Sequence, residues 1–153
     1  MGDYDTEVAD RIEAVKELHN LREAGAKFML ESTKPKYSYN FSSLGRPIIQ
    51  YPQDMVAMQE LIWSVRPDLI IEMGIAHGGS LVLSAAALAL LDYTDAVASG
   101  QSLDPNASKR KVLGVDIDIR PHNREAIETH PMAHMIETIE GSSIAPEIIN
   151  QVS

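Results

Sequence analysis

Asp68-Leu69-Ile70-Ile71-Glu72-Met73-Gly74-Ile75-Ala76-His77-Gly78-Gly79-Ser80 is the stretch that decides the fold. Its first half is a short apolar run rich in β-branched residues. Such a run suits a strand buried on both faces of a parallel sheet. Gly74 to Ser80 then reads as a turn, and Leu81 to Tyr93 as an apolar, Ala-rich helix. Strand, glycine turn and helix in that order open an α/β unit with a right-handed crossover.

Downstream the same grammar repeats. Thr94 to Arg110 is polar and holds Gly100 and Pro105, so it reads as a mobile lid or an insertion. Lys111 to Asp116 is a second strand ending on an acid, and Pro121 to Thr129 a short helix. Met135 to Ile139 is a third strand, Gly141-Ser142-Ser143 a turn, and Ala145 to Val152 another helix. The predicted fold is α/β, a Rossmann-like doubly wound parallel sheet of which this chain carries the N-terminal half, preceded by helices.

Upstream, Val8, Ile12, Val15, Leu18 and Leu21 recur at helical spacing, predicting one helix from about Asp5 to Leu30. Glu31 to Pro52 is an irregular connection carrying Tyr37, Tyr39, Phe41 and Tyr51, aromatics that either pin a loop or line a substrate mouth. A helix from Gln53 to Val65 follows, with Asp54 at its positive end and Val56, Leu61, Ile62 and Val65 as its buried face. Pro67 stops it. The expected division is residues 1–52, a helix and connecting segment, and residues 53–153, the sheet domain.

The chain has 153 residues, a net charge of −9 and no Cys. That charge argues against nucleic acid and anionic membranes as partners. Without Cys there are no disulfides, thiolate metal sites or Cys nucleophiles. The acidic start carries no signal peptide, and no apolar run reaches the length of a membrane span, so a cytoplasmic location is expected.

Open α/β sheets bind ligands at the carboxyl ends of their strands. Three such ends converge here: Glu72 with the glycine turn, Asp116, and Gly141-Ser142. Gly74 permits backbone that a side chain forbids, and Gly78 and Gly79 let a ligand approach the main chain. A Walker loop requires Gly-Lys-Ser/Thr, whereas Gly79 is followed directly by Ser80. A dinucleotide fingerprint is G-x-G-x-x-G with an acid about 20 residues on; this turn is G-x-x-x-G-G and Asp116 lies much farther away. Glu72 would repel a pyrophosphate and attract a cation. S-adenosylmethionine, with its ammonium, sulfonium and ribose hydroxyls, fits better than NAD. Two alternatives stay open: an NAD-dependent oxidoreductase, and glycines that serve strand–helix packing alone.

Asn40-Phe41, Leu44-Gly45-Arg46-Pro47-Ile48-Ile49-Gln50, Pro52-Gln53-Asp54, the stretch from Pro67 to Ser80 and Gly114-Val115-Asp116-Ile117-Asp118-Ile119-Arg120-Pro121-His122-Asn123 resemble the cephalosporin hydroxylase family. That family includes rhamnosyl O-methyltransferases and is similar to class I S-adenosylmethionine-dependent methyltransferases. The resemblance spans about Tyr37 to Val152. It implies a methyltransferase acting on a hydroxyl of a small molecule or sugar. S-adenosylmethionine is the implied cofactor. Glu72, Gly74, Ala76, His77, Gly78 and Ser80 would contact its methionine end, Asp116 the ribose, and Ile117, Gly141, Ser142 and Ser143 the adenine. Magnesium and the catalytic acid or base would come from later strands that this chain does not carry, so no catalytic or metal residue is assigned. A non-catalytic cofactor-binding or assembly module is the alternative.

Other residues have plainer readings. Pro131 separates His130 from His134 and spoils a helical metal pair. Asp118 reads as a cap or surface acid, and Arg46 either reaches the cofactor pocket or makes a surface salt bridge. With later strands absent, the Leu69-Ile70-Ile71 edge would be open, so either a second chain or the N-terminal helix is expected to cover it, and a homo-oligomer is expected.

Overall fold

The structure, a computed structural model, describes residues 2–152. These form two compact units, one ending at Ser38 and the other beginning at Tyr39. The first holds α1 (Gly2–Lys16) and α2 (His19–Thr33). The single helix expected over this region is therefore two, with a break at Glu17-Leu18 that no Gly or Pro marks. Tyr37 packs edge-on against Phe28, ring centroids 5.5 Å apart, which is the pinning role for that aromatic.

The second unit begins with a hairpin, β1 (Phe41–Ser43) and β2 (Arg46–Ile48), paired antiparallel through Phe41↔Ile48 and Ser43↔Arg46. This corrects the irregular connection. Leu44 and Gly45 both have positive φ, 45° and 86°, as a two-residue type I′ turn requires. The hairpin packs on the long helix of the sheet domain, which moves the unit boundary from Pro52 back to Tyr39.

Next come α3 (Pro52–Val65), β3 (Leu69–Met73), α4 (Gly79–Ser99), β4 (Lys111–Asp116), α5 (Pro121–Glu128), β5 (Ile136–Glu140) and α6 (Pro146–Val152). The three strands are parallel in the order β3-β4-β5, in register through Ile70↔Val112↔Ile136. This α/β architecture is the expected one. α4 runs to Ser99 and closes on Gly100, whose φ is 67°. Residues assigned to a lid thus belong to a helix, because Thr94 to Ser99 hold nothing that stops one.

α4 centres the core. Leu81, Val82, Ala85 and Leu88 are fully buried, at the spacing of one helical stripe, and Leu81, Ala85 and Leu88 cluster with Val112, Ile75, Ile119, Ile127 and Met135. By length and composition α4 could cross a membrane, but its stripe is the core of this unit. α3 contributes Ile62 and Met58 to that cluster. Val56, Leu61 and Val65 are exposed, since they lie off the stripe that meets α4.

β3 alternates instead of being buried on both sides. Ile70 packs against the core, while Leu69, Ile71 and Met73 are 48%, 43% and 54% exposed. Within this unit, helices cover one face of the strand only. β3 is also an edge strand.

Candidate functional site

The loop from Gly74 to Gly78 leaves the end of β3 in unusual backbone. Gly74 and Gly78 have φ of 84° and 78°, and Ala76, which has a Cβ, also turns left-handed at 44°. A non-glycine residue there costs about 1–3 kcal/mol, so its surroundings must over-determine it.

Three side chains from distant segments do so. The Asp116 carboxylate at the end of β4 accepts from the Ile75 N–H at 2.8 Å and the Ala76 N–H at 3.4 Å. Asn123 of α5 donates through Nδ2 to the Ala76 carbonyl at 3.0 Å. Arg46 of β2 donates to the His77 carbonyl through Nη2 at 2.6 Å and Nε at 3.1 Å. Both peptide groups flanking Ala76 are held. Arg46 is thereby neither a surface residue nor a cavity wall but a clamp on the turn. The Asp118 N–H donates to the other Asp116 oxygen at 3.2 Å, and the Asp118 side chain is exposed.

The glycine pair after the turn makes room for protein, a role beside its expected use by a ligand. A Cβ on Gly79 would stand 2.2 Å from the Pro47 carbonyl oxygen, and one on Gly78 2.6 Å from Ile127. The hairpin is seated against the first turn of α4 because Gly79 is bare.

A cavity of about 260 Å³ opens between this turn, the hairpin end and α3. Of the expected site residues, Glu72, Gly74, Ala76, His77 and Ser80 line it, joined by Gln50, Asp54, Met55 and Met58, which were not singled out as ligand contacts. Gln50 is legible only as part of a family-like motif, and Asp54 as part of another and as the acid at the start of its helix. Across Gly74 lies a second hollow of about 380 Å³ lined by Asp116, Ile117, Gly141, Ser142 and Ser143. Gly78 lines neither. The aromatics Tyr37, Tyr39, Phe41 and Tyr51 are absent from both walls.

Glu72 is the electrostatic centre of the first cavity. Burial pushes its carboxyl up, and the Ser80 hydroxyl, which donates to it, opposes the rise only in part. Among the described residues it has no cationic partner. Asp116 behaves oppposite in sign: burial disfavours its charge, but N–H groups from Asp118, Ile75, Ala76 and Ile117 outweigh that and hold its carboxyl below the usual range.

A folded-state pKa below the unfolded value near 3.9 adds stability that is complete at neutral pH and disappears as pH falls through it. Asp116→Asn is therefore expected to destabilise the protein by about 1–3 kcal/mol at pH 7, with the difference shrinking in acid. Urea unfolding between pH 7 and pH 3 measures this; an undiminished difference at low pH would contradict it.

His130 and His134 do different work. His130 contacts the Leu44 carbonyl through Nε2 at 3.0 Å and accepts from the Met132 N–H, tying down the hairpin turn. His134 Nδ1 lies 3.0 Å from the Pro131 carbonyl. Among the described residues no cluster of three or more Asp, Glu or His is arranged to hold a metal.

Comparison with known proteins follows the same lines. A solved structure titled "cmcI-N160 SAH" is similar to this chain at a TM-score of 0.44 and 19% identity. The similarity covers 67% of this chain and 43% of that one, so the chain spans less than half the length of that relative. No curated protein matches. The model of the family described as rhamnosyl O-methyltransferase/CmcI matches residues 35–153. On that match, which takes in the hairpin, the turn and all three parallel strands, the chain belongs to the rhamnosyl O-methyltransferase/CmcI family.

Proposed function

We propose that this chain binds S-adenosylmethionine and serves methyl transfer to a hydroxyl of a small molecule or sugar. The observation that carries it is Glu72: a carboxylate in a cavity wall at a strand end, bonded among the described residues only to the Ser80 hydroxyl. A site of that charge takes a cation. Membership of a methyltransferase family makes the sulfonium cofactor the natural candidate.

The residues present fit that group. Glu72 would face the cationic methionine end, with Gly74, Ala76, His77 and Ser80 around it. Ile117, Gly141, Ser142 and Ser143 would receive the adenosine in the neighbouring hollow. Asp116 already spends part of its acceptor capacity on the turn amides. A carboxylate has about four lone-pair sites, and the three N–H groups at hydrogen-bond distance, those of Ile75, Ala76 and Asp118, leave one for a ribose hydroxyl. When bound, the cofactor supplies the electrophilic methyl carbon. The protein's share is to hold it against the acceptor and exclude water. Magnesium, if the reaction uses it, would need ligands beyond the described residues.

Calorimetric titration tests this. S-adenosylhomocysteine and S-adenosylmethionine are expected to bind at a single site, and NAD not to bind. Tight NAD binding without either would favour the oxidoreductase reading and overturn this one. Cofactor binding without methyl transfer to hydroxylated acceptors, magnesium present, would assign the chain as a binding module.

A further inference from the structure

Asn123 is 4% exposed, and its amide is spent on the turn. Its orientation is set by two neighbours that leave no choice. Arg46 has only donors, and its Nη2 lies 3.3 Å from one terminal atom of the Asn123 amide. The Ala76 carbonyl only accepts, and it lies 3.0 Å from the other. The oxygen therefore faces Arg46 and the nitrogen faces Ala76. Networks of this kind are what distinguish the two ends of an amide.

That oxygen also lies 3.4 Å from His77 Nδ1. It cannot donate, so in a neutral imidazole the hydrogen of this contact belongs to Nδ1. One ring N–H is all a neutral imidazole has, which leaves Nε2 as a lone pair. Nε2 has no partner among the described residues, and His77 forms part of the wall of the main cavity and of an adjoining polar hollow.

We infer that Asn123 is a positioning residue that holds His77 as the Nδ1–H tautomer, leaving Nε2 to accept a hydrogen bond from a ligand N–H or O–H. The ligand part rests on the methyltransferase reading; the tautomer part does not. The donor would be the ammonium of the cofactor's amino-acid end or a hydroxyl of the acceptor. Arg46 acts through Asn123, and the two residues come from the hairpin and α5, on opposite sides of the turn in the sequence.

Imidazole ¹⁵N spectroscopy on the intact chain at about pH 9, where histidines are ordinarily neutral, reads the tautomer directly. His77 is expected to show a protonated Nδ1 and an unprotonated Nε2. Asn123→Ala should relax it toward a mixture, and Asn123→Asp should retain it, because either carboxylate oxygen still accepts from Nδ1. A wild-type His77 protonated at Nε2 would overturn the assignment, as would loss of the Nδ1–H form in Asn123→Asp. Should Asn123→Ala not fold, the wild type and Asn123→Asp still decide. The Nε2 signal is then followed with S-adenosylhomocysteine and, separately, with methyl α-L-rhamnoside. Movement with the first identifies the ammonium as donor, and movement with the second identifies a hydroxyl. No movement with either refutes the ligand part. Failure of S-adenosylhomocysteine to bind at all, seen by calorimetry, sinks the methyltransferase reading and leaves the tautomer standing on its own spectrum.

Discussion

Gly79→Ala is expected to lower the melting temperature by about 5 °C, although alanine is the better helix former. Gly79 is the first residue of α4, and in an open helix the exchange gains up to about 1 kcal/mol. Here the new Cβ would sit 2.2 Å from the Pro47 carbonyl oxygen and 2.7 Å from Ile48 Cβ. The obstacle is backbone, so the hairpin itself has to move. Overpacking of that kind costs about 3 kcal/mol, leaving a net loss near 2 kcal/mol, or about 5 °C for a chain of this size. Pro47 and Ile48 also line the cavity, so ligand affinity should fall together with stability. Calorimetric melting and cofactor titration measure the two effects. A variant melting higher than the wild type would show that the hairpin is not seated on α4 as described.

Glu72→Gln is expected to move stability and binding in opposite directions. The folded state raises the Glu72 pKa, mainly by burial. For a carboxyl raised above its unfolded value near 4.3, stability is greatest below that value and declines as pH rises through the folded one. At neutral pH the ionised group therefore weakens the ligand-free fold. Gln keeps the shape and still accepts from Ser80, so the variant should melt higher at pH 7, with the gain fading toward pH 4. Affinity should respond the other way. A charge-assisted hydrogen bond to a cation is worth about 1.5–3 kcal/mol, which corresponds to about 10- to 100-fold weaker binding of S-adenosylmethionine or S-adenosylhomocysteine. Unchanged affinity would remove Glu72 from the cation site. A lower melting point at every pH would mean that the carboxylate is needed by the fold instead.

The strand, turn and helix around Glu72 were legible because each rests on neighbours in sequence. β-branched residues at 70 and 71, glycines at 74 and 78 and an apolar stripe from Leu81 need nothing distant to be recognised. The hairpin was missed for a related reason. Its strands are three residues each, too short for alternation to show, and its left-handed turn begins with Leu44, a residue seldom found there. The end of α4 was missed because Thr94 to Ser99 look polar, yet only Gly100 stops the helix.

Of the site, sequence alone placed the acid, the glycine turn and the two further strand ends, since strand polarity in a parallel sheet brings them to one edge. It could not show that Gly79 yields to Pro47, that Arg46 and Asn123 grip the turn from either side, or that Asn123 dictates how His77 carries its hydrogen. Nor could it show which face of β3 is covered, because Leu69 and Ile71 are as apolar as Ile70. Those facts depend on contacts between residues 31 to 77 positions apart. Local propensity is silent at such distances, and strand pairing together with packing on α4 brings the partners together.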